Sequence, residues 1–138
     1  DDAEIAKVTA NIQTLLSDLT TYYTSQGKFS SDISQMTNVP LEIDGNNKKI
    51  ADMTAAGKKC IKFTLVDFVT DTGDTKGKPA VIKVEKGANQ NDSLCLKILG
   101  NKGIEKLLNN QFKYVNAAGV EKESETGEYP VSGLSVAF

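Results

Sequence analysis

A chain of 138 residues with 39% hydrophobic and 25% charged residues is long enough to bury a core and too apolar to stay disordered. Its net charge is −2, all of its basic residues are Lys, and it holds no His and no Trp. This composition argues against the clustered, Arg-using basic face of a nucleic-acid binder. It also rules out any Ser-His-Asp or Cys-His catalytic unit built from this chain alone.

The first element is a helix over residues 1–26. Ile5, Val8, Ile12, Leu15, Leu16, Leu19, Tyr22 and Tyr23 fall within an arc of about 120° at 100° per residue, the width of a core-facing stripe. Gly27 follows the last of them and suits the left-handed position just past a helix end. The opposite face carries Ala3, Lys7, Ala10, Thr14, Ser17 and Thr21. Small residues of this kind are either an ordinary solvated face or a surface that lets another helix approach closely. The sequence starts in what reads as an already running helix, which suggests a fragment or a processed product.

Residues 27–59 read as a connecting segment. Ser30 and Ser31 are N-cap candidates for one helical turn that reaches Met36, and Pro40 stops it. Asp44, Gly45, Asn46 and Asn47 form a turn between two short extended pieces. Lys48, Lys49, Lys58 and Lys59 read as a solvated edge, and no nucleic acid is expected.

Residues 60–138 read as an antiparallel sheet with a short helix and loops. A strand over 60–68 points Ile61, Phe63 and Leu65 inward and Cys60, Lys62 and Thr64 outward. A second strand over 80–86 points Ala80, Ile82 and Val84 inward. A third is expected over 94–99, with Leu94, Leu96 and Ile98 inward and Cys95 and Lys97 outward. Residues 101–110 predict a short helix that buries Ile104, Leu107 and Leu108. Strands are expected at 112–115 and 134–138, with an exposed loop over 119–127. A helix with one apolar stripe, laid across a sheet with one apolar face, gives an α+β fold in a single domain, 1–138.

Cys60 and Cys95 share the less apolar face of two expected strands. If those strands lie side by side the sulfurs meet, and the disulfide indicates an oxidising compartment; unpaired thiols are the alternative. Asp67, Asp71 and Asp74, beside Gly73, are candidate calcium ligands or a solvated turn. No other metal site and no cofactor is expected.

The segment from Ala3 to Ser30 resembles the region just after the membrane span of type IV pilins and type II secretion pseudopilins. The resemblance rests on Ile5, Ala6 and Lys7, on the run from Ile12 to Leu19, on Tyr22 and Tyr23, and on Gly27, Lys28, Phe29 and Ser30. A proline commonly stands in that family where this chain has Ser30, and many type IV pilins close their disulfide nearer the C-terminus than Cys95. The resemblance implies a long helix packed on an antiparallel sheet, and a structural filament subunit rather than an enzyme. Its partners would be copies of itself, other pilin-like subunits and the assembly machinery. The membrane would be reached only through an N-terminal helix that this sequence lacks. The subunit would wait in the bacterial inner membrane and periplasm before joining a pilus or pseudopilus at the cell envelope. Ala3, Lys7, Ala10, Thr14 and Ser17 would form its packing face. A secreted or periplasmic binding module that forms no filament is the alternative reading.

Overall fold

The computed structural model describes residues 2–71 and 73–132. Helix α1 spans Asp2–Gln26, with Asp2 and Glu4 in its first turn, where acidic groups complement the helix dipole. Val8, Ile12, Leu15, Leu16 and Leu19 are buried, and Ile5, Tyr22 and Tyr23 are partly buried against the same core. The helix ends as its sequence dictates: Gly27 adopts φ 75°, and its N–H donates to the Tyr23 carbonyl at 2.7 Å. A single 3-10 turn follows at Ile33–Gln35. Its cap is Asp32 and not a serine, since the Asp32 carboxylate accepts from the Ser34 N–H.

The 27–59 segment is more than a connection. It contains β1 (Glu42–Ile43), all of β2 (Ile50–Ala55) and the start of β3 (Lys58–Val66). The β2–β3 hairpin turns through Ala56 and Gly57, both at positive φ, the geometry that matches strand twist in a two-residue loop. With β4 (Val81–Lys86) and β7 (Glu128–Pro130), these strands form a five-stranded sheet in the order β1-β2-β3-β4-β7. Every neighbouring pair in it is antiparallel. On its inner face Ala51, Phe63 and Val84 align in one row, and Leu65, Ile82 and Tyr129 in the next. All six are buried.

Residues 94–99 are not a strand. They form helix α2 (Ser93–Leu99), capped by the Asp92 carboxylate, which accepts from the Leu94 and Cys95 N–H groups. The buried residues are therefore Cys95, Ile98 and Leu99, at helical spacing, and Leu96, expected inward, is 54% exposed. Helix α3 (Lys102–Leu108) follows, capped by Asn101. It buries Ile104 and Leu107, while Leu108 is partly buried. Helix α1 packs against β2 and α2, α2 against β3, and α3 against β4.

The expected loop over 119–127 also needs correction. Its residues Glu121–Glu123 form β6, paired with β5 (Lys113–Val115) in a separate two-stranded sheet. The expected strand at 134–138 lies outside the described residues.

Candidate functional site

The face of α1 turned away from the core carries Ala3, Lys7, Ala10, Thr14, Ser17 and Thr21, and all six are exposed. The Thr14 hydroxyl donates back to the Ala10 carbonyl at 3.1 Å, so its polar group is met within its own helix. Lys7 is the single charge among these six. The surface is low and nearly neutral, and α1 has already committed its apolar stripe to the sheet and α2. A second helix is the kind of object that such a face admits at close range.

The C-terminal end of α1 is fixed by aromatic packing and one carboxylate. Tyr23 and Phe29 lie with ring centroids 5.1 Å apart, tilted by 60°. The Phe29 N–H donates to Asp67 at 2.9 Å, and Asp67 also pairs with the Lys49 ammonium. Burial pushes the Asp67 carboxyl up, but the hydrogen bonds from Lys49 and Phe29 outweigh it and hold the group below its ordinary value. Burial first, and the nearby Asp67 charge second, raise the Tyr23 phenol.

That arrangement corrects the calcium reading. Asp67 is occupied as a tie between the helix end and Lys49. Asp71 is exposed, and Asp74 reaches toward Lys122 at 3.6 Å with its side chain 89% exposed. The three do not converge, and among the described residues no group of three or more His, Cys, Asp or Glu side chains is placed to hold a metal ion.

Cys60 and Cys95 are joined in a disulfide, by a route different from two adjacent strands. The β2–β3 register passes from Met53 opposite Ile61 to Thr54 opposite Lys59, which leaves Cys60 as the extra residue of a bulge. A bulge re-aims the side chain it carries. Cys60 meets Cys95 on α2, and both are buried. The bond ties the sheet to the helix beside α1.

Sequence reasoning missed a buried ion pair. Lys78 Nζ lies 2.6 Å from Glu128 Oε1, and the same oxygen accepts the Glu125 N–H at 2.9 Å. The pair joins the loop before β4 to the start of β7. Its only signal in the sequence was Lys78 beside Pro79, which carries no indication of burial. Comparison of the chain with family models, with curated proteins and with solved structures yields no match.

Proposed function

We propose that this chain is the globular head and lower helix of a filament subunit of the type IV pilin or pseudopilin kind. The supporting observation is α1 itself. It is 25 residues long, it spends one face on the core, and it leaves the other small, nearly neutral and exposed. In this reading the helix continues upward into a membrane-spanning part outside this sequence. Among the described residues no helix is long and apolar enough to cross a membrane. Once a leader has been removed and the subunit drawn out of the membrane, helices of neighbouring subunits pack along Ala3, Lys7, Ala10, Thr14 and Ser17. The heads then face outward, each packed on its helix through β2 and α2, with α2 tied to β3 by the disulfide.

The test is expression of the full-length gene in its own host, with cross-linking and immunogold microscopy of sheared surface material. Filaments that contain this chain are the expected result. Membrane-held subunit in short cross-linked ladders, without surface filaments, narrows the reading to a pseudopilin or minor pilin. Freely soluble periplasmic protein without a ladder overturns it in favour of a binding module.

A further inference from the structure

The turn between β4 and α2 runs from Gly87 to Asp92 and is tied down at several points. The Gly87 N–H donates to the Cys60 carbonyl at 2.8 Å, and Gly87 passes so close to Lys59 and Cys60 that a side chain there would strike their backbone. Asn89 forms a reciprocal pair with Lys59. The Asn89 N–H donates to the Lys59 carbonyl at 2.9 Å, and the Lys59 N–H donates to the Asn89 side-chain oxygen at 2.9 Å. The Asp92 N–H donates back to the Asn89 carbonyl at 2.9 Å, and the Asp92 carboxylate caps α2.

Two side chains in this stretch take no part in that bonding. Asn91 and Ser93 are exposed, and among the described residues neither the Asn91 amide nor the Ser93 hydroxyl has a hydrogen-bond partner. Elsewhere in the chain asparagine serves the backbone: Asn47, Asn89, Asn101, Asn109, Asn110 and Asn116 each bond a backbone group through the side chain. Asp92 lies between the two unengaged groups in extended conformation, at φ −61° and ψ 141°. An extended residue sends its side chain to the opposite side from those of its neighbours. With Asp92 turned onto α2, Asn91 and Ser93 face solvent together.

We propose that Asn91 is an acceptor for asparagine-linked glycosylation. Only at Asn91 does this chain place Ser or Thr two residues after an Asn, here with Asp92 and not Pro between them. That is the pattern an oligosaccharide transferase reads on a surface loop of a secreted chain. So short a motif recurs by chance, and its setting is what singles it out here: the residues around it hold the turn, and both of its reacting groups are left open. In the transfer, the Asn91 amide nitrogen bonds to the anomeric carbon of an oligosaccharide carried on a lipid diphosphate. The bond from that carbon to the diphosphate oxygen breaks, its electron pair leaves with the lipid diphosphate, and one amide proton passes to a base of the transferase. The Ser93 hydroxyl is the group by which the acceptor is recognised. The Cys60–Cys95 disulfide suits the oxidising side of a membrane, where secreted chains acquire such sugars. The inference does not depend on filament assembly, since a chain that forms no filaments presents the same turn.

The experiment is mass spectrometry of the full-length protein isolated from its own host, intact and after proteolysis. A sugar mass increment is expected on the peptide that carries Asn91, with fragment ions that place it on that residue. Asn91→Gln and Ser93→Ala, each returned to the host, are expected to lose the increment completely, while Ser93→Thr keeps it. Both positions are exposed, so all three variants should keep the disulfide and the urea midpoint of the parent. An unmodified Asn91 in the native protein overturns the proposal. So does an increment that remains in the Asn91→Gln protein, or one that stays on Asn91 when Ser93 is replaced by Ala. Should a variant misfold, the peptide map of the unaltered protein decides alone.

Discussion

Asp67 sits where three parts of the chain meet: the residue after the helix-terminating turn, the strand end that bears Asp67, and Lys49 before β2. Its carboxyl is held below the ordinary value of 3.8, so the folded state binds that proton less tightly than the unfolded chain does. The stabilisation is present in full above the ordinary value and is lost as pH falls through the depressed one. Asp52 works in the opposite sense. Burial raises its carboxyl, so protonation there favours the folded state as pH falls. The Asp67 side chain is 36% exposed, and solvent screening limits what it contributes. Asp67→Asn is expected to lower stability at pH 7 by less than about 1 kcal/mol. Urea denaturation across pH should show that gap closing as pH falls below 3.8 and through the depressed value. A gap that stays constant with pH would mean that Asp67 acts through packing rather than charge. Lys78 and Glu128 follow different rules, with side chains only 11% and 5% exposed. There, loss of one partner strands the other charge in the interior, and paired removal is the milder change.

At the scale of elements, the disulfide joins a β-bulge to a seven-residue helix. Its loop spans 35 positions, for which chain entropy gives about 3–4 kcal/mol. Cys60→Ala with Cys95→Ala is expected to lower the unfolding free energy by about that amount and to raise the denaturant slope, because the unfolded chain opens further. A loss below about 1 kcal/mol would show that α2 stays docked on β3 by packing alone. The helix around Cys95 also shows where the sequence was legible and where it was not. In α1 the stripe repeats from Ile5 to Tyr23, about five turns, and no strand pattern competes with it. In 94–99, Leu94, Leu96 and Ile98 fit a strand while Cys95, Ile98 and Leu99 fit a helix. Six residues are too few for period alone to decide. The deciding signal was Asp92, one residue ahead, as an N-cap. β2 escaped for another reason. Its inward residues Ala51, Met53 and Ala55 are mostly small and weakly apolar, and they alternate with Asp52 and Thr54. With β2 went the setting of Asp52, which acquires Glu42 and Lys62 as neighbours only through the register.

For the molecule as a whole, the two faces of α1 serve two separate purposes. The buried face reaches 0–3% exposure at Val8, Ile12, Leu15, Leu16 and Leu19, so changes there act on folding. The face with Ala10 and Thr14 contacts solvent, and a large side chain there displaces nothing inside the head. Ala10→Trp is expected to leave urea stability of the head within about 0.5 kcal/mol of the parent. In the full-length protein the same change puts a bulky ring where the proposed neighbouring helix lies. Filament yield should fall to background while the amount of membrane-held subunit is preserved. Close packing makes the effect steep, because two helices at 8–10 Å separation have no room for an indole between them. The pairing of results is what discriminates. Loss of both stability and filaments would mean that the face belongs to the folding core after all. Normal filaments from a stable Ala10→Trp subunit would remove this face from the assembly surface and leave the filament proposal without its main support.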